Sequence, residues 1–162
     1  MNRNPMFLAA TALLALGATS LLAGCGGEPP ATSAAGQQNA AAGMSRSVSR
    51  PGATVFIITP TDGTTVASPI SIKFGVSGIE VAPAGTYDAN TGHHHLIIDT
   101  ELASTEQPIP KDAQHMHFGK GQTEASVELE PGRHTLQLVL GDGNHVPHQP
   151  PVVSQVITIT VE

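Results

Sequence analysis

Histidine is the residue of this 162-residue chain whose distribution points most directly to chemistry. All eight histidines lie between His93 and His148. They occur as His93-His94-His95, His115-Met116-His117, His134 and His145-Val146-Pro147-His148. Imidazole is the commonest protein ligand of metals and titrates near neutral pH. This concentration predicts a site with a specific chemical role, and metal binding is the first candidate.

The spacing of the histidines suits side chains that converge from strands and loops. Residues i and i+2 of a strand point to the same face about 6.5–7 Å apart, so their imidazoles can reach one ion. His93 with His95 and His115 with His117 have this spacing. A proline lies within the last group and restricts its backbone. The predicted metal ligands are His93, His95, His115, His117, His134, His145 and His148.

The chemistry of these ligands favours copper or zinc as the cofactor. Imidazole donors without thiolate suit copper(II), zinc and nickel, and affinity generally peaks at copper. Asp99 and Asp142 are candidate oxygen ligands, or acceptors for the N–H groups of ligand imidazoles. Met116 faces away from the flanking histidines on a regular strand, which makes it a poor candidate for a copper(I) ligand.

Each group of histidines also has a structural alternative. His134 begins an alternating apolar stretch and is equally well explained as a core histidine hydrogen-bonded to a backbone carbonyl. In the first group, either His94 or the pair His93 and His95 faces the site, and we expect the pair. The alternative for the second group is a polar edge strand, and for the last group a solvated turn.

Period-two alternation runs through the C-terminal part of the chain. Ile70, Ile72, Phe74 and Val76 alternate with small or polar residues, the pattern of a half-buried strand. Further strands are predicted at residues 55–58, 93–99, 115–118, 124–129, 134–140 and 155–161. No amphipathic helix is predicted. The pattern favours an all-β fold, an immunoglobulin-like antiparallel β-sandwich of about seven strands, with a small barrel as the alternative.

The N-terminal segment has the features of a lipoprotein signal peptide. Arg3 precedes an apolar run from Phe7 to Leu22, which is short for a permanent bilayer span. The sequence Leu22-Ala23-Gly24-Cys25 resembles the bacterial lipobox, in which the cysteine becomes the first mature residue and is acylated. We expect residues 1–24 to be removed. Cys25, the only cysteine, then anchors the protein to a membrane facing the periplasm, with the outer membrane favoured.

The rest of the chain divides into a linker and one domain. Residues 25–52 are mostly small or polar and bury too little apolar surface to offset the entropy of ordering, so we predict a flexible linker. Residues 53–162 suffice for one small domain. That domain has four Lys and Arg residues against twelve Asp and Glu, a balance that argues against a nucleic-acid partner. The sequence has no P-loop, dinucleotide-binding or Gly-x-Ser-x-Gly motif.

The histidine-bearing segments resemble an uncharacterised family of exported bacterial domains, domain of unknown function 4399. The resemblance rests on Gly92 to Asp99, His115 to Glu124, Pro131 to Leu136 and Gly141 to His148, and it covers nearly all of residues 53–162. It implies a β-rich periplasmic domain in which the same histidines belong to the family's motifs. It implies no activity.

A shorter resemblance concerns the second histidine group. His115-Met116-His117-Phe118-Gly119 is similar to the His-x-His strand of copper-zinc superoxide dismutases, which are also β-sandwiches. Those enzymes have one more residue before Phe-Gly and a disulfide, which a chain with a single cysteine cannot form within itself. These departures argue against dismutase activity.

Three functions follow from the sequence. The first, which we expect, is a lipid-anchored periplasmic protein that captures, buffers or delivers copper or zinc, with the membrane, the metal ion and a periplasmic protein as partners. The second is a structural or interaction module of the cell envelope whose histidines form a hydrogen-bonded polar network. The third is a copper-dependent redox enzyme.

Overall fold

The computed structural model describes residues 45–162, which form nine β-strands. In chain order they are β1 (Thr54–Thr59), β2 (Thr65–Val66), β3 (Ile70–Ser77), β4 (Glu80–Val81), β5 (Thr91–Ile98), β6 (His115–Phe118), β7 (Glu124–Val127), β8 (Gly132–Gly141) and β9 (Ile157–Val161). Across this part of the chain we find no helix of the length and apolarity that a bilayer span requires. The predicted signal peptide, Cys25 and the predicted linker as far as residue 44 lie outside the described residues.

The strands form two sheets, and the predicted all-β sandwich is confirmed. The first sheet has the order β1-β3-β7 and is antiparallel. The second has the order β2-β9-β8-β5-β4, and β6 also pairs with β5. All seven predicted strands are present. The two strands that alternation did not predict, β2 and β4, have two residues each and pair in parallel with β9 and β5, so neither is long enough to produce a period.

Alternating apolar residues of both sheets build the main core. Ile70, Ile72 and Phe74 of β3 are buried, while the intervening Ser71 and Lys73 are exposed. The facing positions of β8 are completely buried leucines, Leu136, Leu138 and Leu140. Burial of a side chain of this size contributes about 1.5–3 kcal/mol, so the register of the two sheets is strongly specified.

Strand β5 is buried on both faces, and this places its histidines. His94, Leu96 and Ile98 face the main core. His93, His95 and Ile97 therefore point to the opposite, outer face of the second sheet. There Ile97 joins a smaller apolar cluster with Val139 of β8 and Ile109 of the loop between β5 and β6. The loops that cover this outer face enclose the histidines.

Candidate metal centre

Pairing in the second sheet brings three histidines together. His95 of β5 lies directly opposite His117 of β6 in the antiparallel register. His93 is two residues before His95 and therefore shares its face. On the other side of β5, His93 pairs with Gly141 at the end of β8. The fourth histidine, His145, comes from the loop that follows β8.

The four imidazoles are close enough to share one ion. His95 Nε2 lies 3.0 Å from His93 Nε2, and His93 Nε2 lies 3.1 Å from His145 Nδ1. One ring nitrogen from each of His93, His95, His117 and His145 lies within 4.8 Å of the others. Tetrahedral nitrogen ligands at about 2.0–2.1 Å from zinc stand about 3.4 Å apart. The arrangement is compatible with metal binding.

Two of the four rings have a buried nitrogen without a hydrogen-bond partner. These atoms are His95 Nδ1 and His117 Nε2. Most buried polar side-chain atoms have a partner, and an unsatisfied one costs about 1–3 kcal/mol. The hydrogen bonds within the cluster therefore do not use all of its donors and acceptors.

Burial keeps these imidazoles uncharged. Burial is the largest cause that lowers the pKa of His95 to about 2 and that of His93 to about 4, and repulsion between neighbouring imidazoles in their charged form is the next. The pKa of His117 is lowered by burial, then by His145 and Lys111. A neutral imidazole offers the lone pair that a metal requires. At pH 7 these three rings are in the form that can ligate.

Two glycines make room for the rings. A Cβ on Gly141 would stand 2.9 Å from His95 Nε2 and 3.3 Å from the Cα of His145. A Cβ on Gly119 would stand 2.3 Å from Cε1 of His117. All three distances are shorter than ordinary van der Waals contacts of a carbon atom. Any larger residue at either position would displace a ring of the cluster.

The loop of residues 142–149, which we call the His145 loop, is organised by a buried carboxylate. Asp142 is 1% exposed, and its Oδ1 accepts hydrogen bonds from the backbone N–H groups of Asn144 and Val146 at 2.9 and 3.1 Å. Burial alone would raise the pKa of Asp142, but these N–H groups and that of Ser47 lower it below its ordinary value. His145 sits in this turn with a φ of 65°.

Further backbone contacts hold the turn in place. The N–H of His145 donates to the carbonyl of Asp142 at 2.8 Å, and the carbonyl of His145 accepts from the N–H of Ile109 at 2.9 Å. A non-glycine residue with positive φ persists only where its surroundings enforce it. The turn therefore fixes the direction in which the imidazole of His145 points.

Residues 46–50, which we call the strap, lie along the His145 loop. The guanidinium of Arg46 donates to the carbonyls of Pro147 and His148, at 3.0 and 2.5 Å. Asp142 Oδ2 accepts from the N–H of Ser47 at 3.0 Å. Backbone hydrogen bonds join Ser49 and Ser47 to Gln149. The strap is part of the segment whose composition predicts a linker, and here it contacts the folded domain.

Three of the predicted ligands have other partners. His134 donates through Nδ1 to Asp99 at 2.7 Å and through Nε2 to the carbonyl of Glu130 at 2.9 Å, and its pKa is raised, chiefly by Asp99. His148 is completely buried with Nε2 at 2.9 Å from the carbonyl of Thr91. His115 donates to Asp112 at 2.8 Å.

These three histidines lie outside the four-histidine group. His115 shares the outer face of β6 with His117, as the i and i+2 spacing predicts, but it lies opposite Ile97 and not opposite a histidine. His134 has the backbone-carbonyl partner that its structural alternative anticipates, together with a carboxylate.

The remaining candidates are also placed by the fold. His94 faces the core, where Nδ1 donates to the carbonyl of Gln122 at 3.0 Å and the ring lies against Phe74. Met116 packs against the main core, away from the histidines. Asp99 contacts His134 and the N–H of Thr135, and Asp142 holds the His145 loop. Among the described contacts, neither carboxylate accepts from an imidazole of the four-histidine group.

Several residues of the site have no signal in the sequence. Arg46 and Ser47 lie in a segment of linker-like composition, and only the tertiary structure brings them to the His145 loop. Gly119 follows a histidine-bearing strand and Gly141 ends an apolar one, and in the sequence both are indistinguishable from ordinary turn glycines. Lys111 belongs to a long loop, a feature that favours functional residues without indicating which one.

Comparison with known proteins identifies one family. No curated protein and no solved structure matches the chain. Residues 72–162 match the family described as Domain of unknown function (DUF4399). The matched region includes β5, β6, β8 and the His145 loop, so all four histidines of the group lie within it. The match covers more than half of the chain, and the protein therefore belongs to the DUF4399 family.

Proposed function

We propose that this protein is a periplasmic metal-binding lipoprotein that captures copper or zinc through His93, His95, His117 and His145. The observation that carries the proposal is the convergence of four ring nitrogens within 4.8 Å. In the proposal, Cys25 is lipidated and holds the domain at a membrane, preferably the outer membrane. The bound metal is buffered there or delivered to a periplasmic protein.

The donor set favours copper over zinc. Four imidazoles supply nitrogen only, and no thiolate or carboxylate belongs to the group. Nitrogen sites accept both ions, but affinity rises from nickel to copper and falls again at zinc. Copper(II) also accepts tetragonal geometries, which the spread of nitrogen separations from 3.0 to 4.8 Å can accommodate. We therefore propose copper as the preferred ion.

A polar network of histidines is the second candidate, and two contacts favour it. His93 Nε2 lies 3.0 Å from His95 Nε2 and 3.1 Å from His145 Nδ1, within hydrogen-bond distance of both. A polar network of this kind is stabilising when all of its members are satisfied. Here both contacts use the same nitrogen of His93, which has either one proton or one lone pair and so completes only one of them. The unpartnered His117 Nε2 adds to this shortfall, which favours metal binding over a purely structural role.

The test is metal binding by the full-length protein, purified in detergent without a polyhistidine tag. Elemental analysis and competition titration with chelators of known affinity should give one equivalent of copper or zinc bound more tightly than micromolar. His95→Ala and His117→Ala should each lose this binding. His134→Ala is the matched control, because His134 is held by Asp99 and Glu130, outside the group. Absence of binding by the unaltered protein would overturn the proposal.

The same preparation distinguishes the third candidate, a copper-dependent redox enzyme, from a metal-binding protein. The copper-loaded protein is mixed with superoxide or peroxide, and the oxidation state of copper is followed by electron paramagnetic resonance. Cycling between copper(I) and copper(II) with turnover of the oxidant would favour the enzyme. We expect stoichiometric binding without turnover.

A further inference from the structure

We infer that the metal centre has an open side that binds a small anion, with Lys111 as its counter-charge. This inference rests on the proposed function and extends it from the metal to a second ligand. A cavity of about 280 Å³ adjoins the four-histidine group. Its wall is formed by His95, Pro108, Ile109, Lys111, His117 and His145.

The cavity adjoins three of the four histidines, and His93 is not part of its wall. A ligand that enters the cavity therefore meets His95, His117 and His145. An additional ligand of the metal can reach the cluster from this side.

The remaining wall defines the chemistry of the ligand. Pro108 and Ile109 are apolar, and Ile109 is held in place by its hydrogen bond to the carbonyl of His145. Lys111 supplies the only fixed positive charge of the wall, and no carboxylate lines it. A small anion is favoured there, because it can ligate the metal and form an ion pair with the ammonium group.

Azide is a suitable probe, because it is small, carries one negative charge and perturbs copper(II) spectra when it ligates. We expect azide to shift the electron paramagnetic resonance spectrum of the copper-loaded full-length protein. Lys111→Met should weaken the azide affinity by about threefold or more, the range of one partly exposed charge pair. Lys120→Met removes the same charge outside the cavity and should leave the azide affinity unchanged.

Imidazole is a neutral probe, so its binding reports on access to the metal without the effect of the Lys111 charge. Its affinity should be the same in Lys111→Met and in the unaltered protein. Copper bound with no spectral response to azide or imidazole would overturn the open side while leaving the proposed function intact. Equal azide affinity with and without Lys111 would overturn the role of its charge. Failure to bind copper would overturn the proposed function itself.

A different observation, the contacts of the strap, supports a second inference. We infer that the strap positions His145 for metal binding, and this inference also rests on the proposed function. Asp142 uses Oδ1 to hold the turn of His145 and Oδ2 to hold the strap at Ser47. Arg46 donates to the carbonyls of Pro147 and His148 at the far end of the same loop. Strap and turn thus share one buried carboxylate, so Arg46 and Ser47 are positioning residues.

Arg46→Gln is the test, and Arg50→Gln is its matched control. Both changes remove one arginine charge from the strap, but the described hydrogen bonds of Arg50 use only its backbone. We expect Arg46→Gln to weaken copper affinity by roughly tenfold, the scale of one charged hydrogen bond. Its copper(II) spectrum should lose resolved coupling to nitrogen as His145 becomes misplaced. Arg50→Gln should behave as the unaltered protein.

Ser47→Pro provides an independent variant, because it deletes the N–H that Asp142 accepts and keeps the carbonyl that accepts from Gln149. It should lower copper affinity in the same direction. Unchanged affinity and an unchanged spectrum in both Arg46→Gln and Ser47→Pro would overturn the inference, with copper binding by the unaltered protein as the reference.

Discussion

At the scale of single residues, the centre consists of imidazoles whose burial is only partly compensated. His93 and His95 are 1% exposed and keep their neutral form far below pH 7. Desolvation is costly for a polar group that lacks a full set of partners. In the proposed function, a bound metal ion offsets this cost, because it accepts the lone pairs of the ring nitrogens.

The first prediction concerns the cost of burying an imidazole that lacks a hydrogen-bond partner. His95→Leu removes the unpartnered Nδ1 and replaces the ring by an apolar side chain of similar size. We expect the free energy of unfolding of the metal-free protein to stay the same or to rise by about 1 kcal/mol, because the variant removes the unsatisfied Nδ1 while His93 Nε2 keeps its contact with His145 Nδ1. Chemical denaturation followed by circular dichroism measures this change. A loss of several kcal/mol would show that the imidazole stabilises the fold without metal.

The second prediction concerns the ligands individually. His93→Ala should weaken copper affinity by more than about 100-fold, since even changes to partners of the ligands cost about 10–100-fold. Competition titration measures the affinity. His148→Ala is the comparison, because His148 contacts the carbonyl of Thr91 and not the group. That variant should lower the melting temperature and leave the copper affinity close to that of the unaltered protein, and a loss of copper affinity as large as that of His93→Ala would contradict the assignment.

The histidines show how far single residues can be interpreted from the sequence. The i and i+2 rule correctly separates His93 and His95 from His94, because it depends only on strand geometry. It cannot distinguish His117 from His115, since both satisfy the spacing and only the register with β5 puts His117 opposite His95. The sequence predicts both His145 and His148 as ligands, and their different directions depend on long-range contacts of the loop with Ser47, Ile109 and Thr91.

At the scale of elements, the ends of β6 and β8 leave space for rings of the four-histidine group. Gly119 follows β6 and Gly141 ends β8, and each lies where a Cβ would contact a ring of the group. The sheet thus contributes histidines of the group from β5 and β6 and the space for their rings from β8. The His145 loop then covers the outer face.

The third prediction tests this clearance. Gly141→Ala should displace the rings of His95 and His145, because its Cβ would stand 2.9 Å from one and 3.3 Å from the Cα of the other. We expect copper affinity to fall by at least roughly tenfold with the all-β circular dichroism spectrum retained. Gly119→Ala should act on His117 alone. Unaltered copper spectra in both variants would argue against the described packing of the rings.

Strands were the most predictable elements, and the covering segments the least. Alternation located β3 and β8 because each buries one face, as Ile72 and Leu138 illustrate. In β5 the same alternation is hidden, since both faces are buried. The strap and the loop between β5 and β6 have no period at all, and hydrogen bonds to distant residues decide their course.

At the scale of the whole molecule, the histidines make the stability of the metal-free protein depend on pH. Unfolded histidines titrate near pH 6.5, whereas His93 and His95 titrate near 4 and 2 in the fold. Below pH 6.5 the unfolded chain therefore binds protons that the folded centre does not, and stability falls as pH falls. Above pH 6.5 these two histidines cause no such loss of stability.

The fourth prediction follows from these shifts. As pH falls from about 6.5 to 4, each of the two histidines should lower the free energy of unfolding by up to about 1.4 kcal/mol per pH unit. Denaturation of the chelator-treated protein at pH 7 and pH 5 measures the slope. A double variant, His93→Leu with His95→Leu, should flatten it. The same slope in the unaltered protein and in the double variant would assign the pH dependence to other groups.

His134 contributes with the opposite sign. Its pKa is raised by Asp99, so its ion pair stabilises the fold below pH 6.5 and is lost as pH rises through the folded-state value. Because the pair is partly exposed, its contribution is smaller than that of a buried pair. His134→Ala should therefore reduce stability at pH 5 more than at pH 8, and an equal loss at both values would contradict this ion pair.

Binding of metal should also stabilise the molecule as a whole. A free metal concentration about 100 times the dissociation constant adds about 2.7 kcal/mol to the free energy of unfolding. For a domain of this size that corresponds to roughly 10 °C in melting temperature.

X-ray absorption of the copper-loaded full-length protein identifies the atoms bound to the metal. We expect about four nitrogen ligands near 2.0 Å with the scattering pattern of imidazole and no sulfur. A shell of oxygen or sulfur, or fewer than three imidazoles, would contradict it.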